Sequence, residues 1–76
     1  MISITLRYFA HLRELRGQSE ERITLNGPIS ISDLFTQIFN IDSTSIRFAI
    51  DAEYVSADTL VSDGDEVAFL PPMGGG

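Results

Sequence analysis

Polar and apolar residues alternate from the start of the chain, where Ser3, Thr5 and Arg7 separate Ile2, Ile4, Leu6 and Tyr8. A period of two is that of a half-buried strand, so the chain is predicted to open with one. In the next stretch, Phe9 to Leu15, Leu12 and Leu15 stand three apart and Gly17 follows, which fits a short helix closed by a glycine cap. Arg22-Ile23-Thr24-Leu25 alternates again before the turn Asn26-Gly27-Pro28, giving a second strand antiparallel to the first. Ser30 with Asp33 three residues on resembles a capping box, and Ile31, Leu34, Phe35 and Ile38 fall at helical spacing. The main helix is therefore predicted from about Ile31 to Asn40. Arg47 to Ile50 reads as a strand, Asp51-Ala52-Glu53 as a turn and Tyr54-Val55 as a short return strand. After Leu60 and Val61, Ser62-Asp63-Gly64-Asp65 is a strong turn signal, and Glu66 to Leu70 forms a last strand that Pro71-Pro72 closes.

One substantial helix cannot build a bundle, nor cover both faces of a parallel sheet. The economical arrangement is α+β: a single sheet with the helix across one face. A first hairpin, a crossover helix and a hydrophobic final strand suited to the sheet centre describe a β-grasp, or ubiquitin-like, mixed sheet. Residues 1–72 form one domain on this reading, and 73–76 a flexible glycine-rich tail.

Composition narrows the chemistry. At 76 residues, with 43% hydrophobic and 21% charged side chains, the chain has the make-up of one small globular domain. Such a domain buries only roughly 60% of the surface of its unfolded chain, so its stability rests on packing. Without cysteine and with a single histidine, it has no disulfide, thiolate metal site or cysteine nucleophile, and no metal site is expected. The net charge of −6 repels nucleic acid and anionic membranes. It is carried entirely by residues 39–76, where Arg47 stands against seven acids. No continuous apolar run suggests a signal peptide or a membrane span, so a cytoplasmic protein is expected. The sequence also contains no lysine.

His11 is the one side chain that titrates near neutrality when unperturbed, but no second histidine or fixed acid–base spacing accompanies it, and a solvent-facing position is expected. Asp63, Asp65 and Glu66 lack the spacing of a calcium loop and suit turn geometry instead. An active site made by this chain alone is thus not expected. The end of the chain is different: Met73-Gly74-Gly75-Gly76 has one large side chain and then none, after a stop stiffened by two prolines. Fully extended, these four residues reach at most roughly 14 Å, enough to place the carboxylate of Gly76 inside a neighbouring active site. A free carboxylate is a poor electrophile, so a partner using ATP must first convert it to an acyl-adenylate. The tail supplies access and the partner supplies catalysis.

The run Asp63-Gly64-Asp65-Glu66-Val67-Ala68-Phe69-Leu70-Pro71-Pro72-Met73-Gly74-Gly75-Gly76 closely resembles the end of the molybdopterin synthase small-subunit family, whose pattern is DGDEVA-aromatic, Pro-Pro, two variable residues and Gly-Gly. Phe9-Ala10 and Leu12-Arg13-Glu14-Leu15 after the opening strand are similar to that family too. Leu70, where a second aromatic is frequent, and Ile50-Asp51, where Val-Asn is, depart from it. The resemblance implies a β-grasp sulfur carrier of molybdenum cofactor biosynthesis that binds no cofactor itself. It implies that an adenylyltransferase related to ubiquitin-activating enzymes uses ATP to adenylate Gly76, and that a sulfur donor protein makes the thiocarboxylate. The sulfur-bearing tail then enters the large subunit of a heterotetramer and donates its sulfur to cyclic pyranopterin monophosphate, two carriers completing one dithiolene. Catalytic side chains belong to the large subunit. Leu70, Pro71, Pro72, Met73, Gly74 and Gly75 are the expected partner contacts, with Phe69 either there or in the core. A thiamine-pathway carrier, which usually lacks the aromatic-Leu-Pro-Pro run, a ubiquitin-like modifier acting on other proteins' lysines, and an interaction module with an inert tail are the rival readings.

Overall fold

The order of elements in the computed structural model is β1 (Ile2–Tyr8), α1 (Ala10–Arg16), β2 (Glu20–Leu25), α2 (Ile31–Phe39), β3 (Arg47–Ile50), β4 (Glu53–Val55) and β5 (Glu66–Leu70). Residues 1–41 and 43–71 are described; the residues predicted as a flexible tail, and Pro72 before them, lie outside. The five strands form one mixed sheet in the order β2-β1-β5-β3-β4. This is the α+β, β-grasp arrangement that the sequence predicts.

Why β5 takes the centre follows from its residues. Val67-Ala68-Phe69-Leu70 is apolar throughout, as suits a strand covered on both edges. It runs parallel to β1, with Thr5 opposite Glu66 and Tyr8 opposite Phe69, and antiparallel to β3, with Phe48 opposite Phe69 and Arg47 opposite Leu70. The outer strands carry features that discourage further pairing. Charged Glu20 and Arg22 are exposed on β2, and β4 is only three residues long.

One face of the sheet holds the core. Ile4, Leu6, Tyr8, Phe48, Val67 and Phe69 are buried there together with Leu12 of α1 and Ile31, Leu34 and Phe35 of α2. The α2 rings lock onto the sheet: Phe35 lies 5.1 Å from Phe69 between ring centroids, and Phe39 lies 5.5 Å from Tyr8 in an edge-to-face contact. Ser30 Oγ accepts a hydrogen bond from the Asp33 amide at 3.2 Å, as the capping motif predicts. The helix ends one residue earlier than expected because Asn40 takes a left-handed conformation and caps it.

Three other expectations need correction. β2 starts at Glu20, since Glu20 and Glu21 pair in register with Arg7 and Leu6 and prolong the ladder beyond the apolar alternation. Leu15 faces solvent at 62% exposure, leaving Leu12 to anchor α1. Glu53 belongs to β4, because Asp51 and Ala52 alone make the hairpin turn, both with positive φ.

Candidate partner-docking site

The predicted site divides at residue 71. Pro72, Met73, Gly74, Gly75 and Gly76 lie outside the described residues. Leu70 and Pro71 are partly exposed where β5 ends. Phe69, left open between partner contact and core, is in the core: it has no exposed surface and is ringed by Tyr8, Phe35, Phe39 and Phe48. Its place in the partner-contact set is therefore corrected. Alternation along β5 decides this, sending Val67 and Phe69 inward and Glu66, Ala68 and Leu70 to the open face.

On that open face the root of the tail borders a groove of about 300 Å³. Ala49 and Ala68 are registered neighbours on β3 and β5, and their methyl groups leave a trough that larger side chains wall. Phe9 and Leu70 stand on one side and Tyr54, 69% exposed, on the other. Arg7 closes the rim through exposed ion pairs with Glu66 at 3.5 Å and Glu20 at 3.9 Å. Arg47, opposite Leu70 in the ladder, stacks its guanidinium 5.7 Å from the centre of the Tyr54 ring. The result is an apolar strip edged by the Arg7–Glu66–Glu20 ion pairs on one side and by the Arg47 guanidinium on the other.

The Asp63-Gly64-Asp65 motif fixes where that strip lies. Asp63 Oδ1 accepts from the Ser3 amide at 2.7 Å, Gly64 N donates to Ser3 O at 2.8 Å, and Thr5 N donates to Asp65 O at 3.0 Å. Gly64 adopts φ +87°, which a residue without Cβ adopts readily. These bonds tie the beginning of β1 to the turn before β5 and so set the parallel register. On β3's side, Asp51 Oδ1 accepts from the Glu66 amide at 3.0 Å. Both acids serve backbone geometry, in agreement with the turn reading of the motif.

A second polar cluster braces α1 on the sheet. Glu21 accepts hydrogen bonds from Tyr8 OH at 2.7 Å and from Arg16 Nη2 at 2.6 and 2.7 Å, and Arg16 also lies over the Tyr8 ring. The Arg16 and Tyr8 hydrogen bonds hold the Glu21 carboxyl below the usual range. Burial, assisted by the Glu21 carboxylate, holds the Tyr8 phenol well above its own. His11 is exposed on α1. Among the described residues no group of three or more His, Cys, Asp or Glu side chains is placed to hold a metal ion, and no helix is long and apolar enough to cross a membrane.

Sequence reasoning found the root of the tail but missed the groove beside it. The signal was present in Phe48-Ala49-Ile50 and Val67-Ala68-Phe69, where a small residue occupies the outward position between two large ones. Only the pairing of β3 with β5 brings the two alanines together.

Comparison with known proteins agrees with the geometry. The ThiS family model matches residues 6–76. A molybdopterin synthase sulfur carrier subunit from Chlamydomonas reinhardtii is 36% identical, the match covering 99% of this chain and all of that one. Among solved structures, a protein described as molybdopterin converting factor subunit 1 from Pyrococcus furiosus superposes with a TM-score of 0.76 at 26% identity, over 96% of this chain and all of that one. A complex of subunits 1 and 2 of the molybdopterin-converting factor from Helicobacter pylori matches at TM-score 0.63 and 18% identity, over 99% of this chain and 100% of its counterpart, which is a likeness of fold. The chain belongs to the ThiS family of β-grasp proteins, and its relatives there include molybdopterin synthase sulfur carrier subunits.

Proposed function

We propose that this protein is the sulfur carrier of molybdopterin synthesis, with the carboxylate of Gly76 as the reacting group. The observation that carries the reading is the placement of β5, held by ladders on both edges and ending at Leu70 beside an apolar groove. A strand anchored in this way gives the residues after Pro71 a fixed point of departure. The partner that receives the tail necessarily meets the surface around its root.

An adenylyltransferase joins Gly76 to AMP from ATP, releasing pyrophosphate. A sulfur donor displaces AMP and leaves a thiocarboxylate. The carrier then docks on a large subunit, as the family likeness and the two-subunit complex suggest, and sulfur passes to cyclic pyranopterin monophosphate. The folded domain contributes binding surface: Ala49, Ala68, Phe9, Tyr54 and Leu70 offer apolar contact, and Arg7 and Arg47 offer charge. The similar proteins from Chlamydomonas reinhardtii, Drosophila ananassae and Escherichia coli are described as molybdopterin synthase sulfur carrier subunits, which favours the molybdopterin pathway over the thiamine one.

Removal of Gly76 tests the reading. The shortened chain is expected to melt with the full chain and to fail in restoring cofactor synthesis to cells that lack their own carrier. Restoration at the full chain's level would refute the role given to Gly76.

A further inference from the structure

The arginines of this protein differ in what holds them. Arg7 is matched by Glu20 and Glu66, and Arg16 by Glu21. Arg47, the one cation against seven acids in residues 39–76, has no ion pair among the described residues. Its guanidinium lies instead over the exposed Tyr54 ring, 5.7 Å from the centroid, and donates no hydrogen bond to a described residue. An aromatic face fixes the plane of a guanidinium and leaves its N–H edge free. Taking the docking of the open face on the large subunit, as read above, for its basis, we propose that Arg47 is the anchor for an aspartate or glutamate side chain of that subunit. Tyr54 is the positioning residue that holds it in place.

The surroundings of the pair and its charge carry this. Arg47 is opposite Leu70 in the ladder, so it stands on the open face where β5 ends. Tyr54 walls the groove over Ala49 and Ala68, and together with Arg47 it also borders a second hollow of about 380 Å³ beside Ser43, Ile46 and Val55. A partner surface that fills either hollow covers the stacked pair. Covering a cation without a counter-charge is unfavourable, and the described part of this chain offers Arg47 none, so the carboxylate comes from the partner. The planar fork of a guanidinium matches a carboxylate through two parallel hydrogen bonds, which an amine cannot reproduce. At a distance the net charge of −6 works against anionic partners, so the pair forms only where apolar fit delivers one carboxylate to the rim. Its effect is on partner choice more than on the rate of encounter. Arg13 and Arg22 also lack an ion pair among the described residues, but neither lies on a ring or borders these hollows.

The test is calorimetric titration of the full chain with purified large subunit at low and high sodium chloride, with circular dichroism to verify folding. Wild type is compared with Arg47→Glu, Arg47→Lys and Arg22→Glu. Arg22 is exposed on β2, at the opposite edge of the sheet, and its replacement changes the net charge as much as Arg47→Glu does. Arg47→Glu should weaken binding about ten-fold or more at low salt, with the gap to wild type narrowing as salt rises. Arg47→Lys should fall between them, keeping the charge and losing the fork, and Arg22→Glu should bind as wild type does. For the seat, Arg47→Gln, Tyr54→Leu and the double variant form a cycle in which the double loss should be smaller than the product of the single ones. Wild-type affinity in Arg47→Glu, or an equal loss in Arg22→Glu, would overturn the inference, and simple multiplication in the cycle would overturn the part given to Tyr54. These outcomes leave the carrier reading standing, whereas a wild-type chain that does not bind the large subunit would remove the docking reading and this inference together.

Discussion

Asp63 illustrates how a single residue acts on the site from a distance. Its side chain does not line the groove, yet its bond to the Ser3 amide helps hold β1 and β5 in register. Replacing Asp63 with alanine should lower stability by about 1 kcal/mol, the usual worth of a side-chain cap on an exposed amide, as read by urea denaturation. No change would mean that the Gly64 and Asp65 backbone bonds suffice. Glu21 allows a test by pH. Its folded-state pKa is depressed by Arg16 and Tyr8, so the stabilisation is complete above the unfolded value and is lost as pH falls through the folded one. The full protein should therefore lose stability on acidification below the ordinary glutamate range, and Glu21→Gln should flatten that part of the profile. Superimposable profiles would show that the Tyr8–Glu21–Arg16 cluster contributes nothing to acid sensitivity.

At the scale of elements, core and groove occupy opposite faces of the same strands, so neighbouring residues should respond differently to substitution. Phe69→Ala removes the ring at the centre of the aromatic cluster and should cost about 3–5 kcal/mol, while Leu34→Ala on α2 should cost about 2–5 kcal/mol. Ala68→Leu, one residue from Phe69 but facing the groove, should change stability far less and weaken association with the large subunit by about ten-fold or more, measured by calorimetry. Unchanged affinity would remove the groove from the docking surface. This division explains what could be read beforehand. Alternation in β1 and β5 and the Ser30 cap are local signals, and they identified the strands, the main helix and the central place of β5. Register is not local. The extension of β2 to Glu20 and the meeting of Ala49 with Ala68 depend on which strands pair and where, which periodicity within one segment does not encode. Leu15 likewise had helical spacing, but a seven-residue helix has room for one buried turn, and Leu12 fills it.

For the whole molecule, the proposed function makes the folded domain a scaffold and binding surface and assigns bond making to the Gly76 carboxylate. Small size suits that division: the aromatic cluster under α2 stabilises a thin sheet whose other face stays available to partners. Charge is divided as well. Arg7, Arg22 and Arg47 belong to strands of the sheet, with Glu20 and Glu66 paired to Arg7, while the whole acidic excess lies in residues 39–76. The central claim is tested most directly by intact-mass and fragment-mass analysis of the full chain and of Gly75→Leu after incubation with the adenylating enzyme, ATP and a sulfur donor. The account predicts one sulfur-for-oxygen exchange, located at Gly76, in the full chain and none in Gly75→Leu, with equal melting temperatures. Sulfur at any other residue, or equal conversion of the two chains, would contradict it.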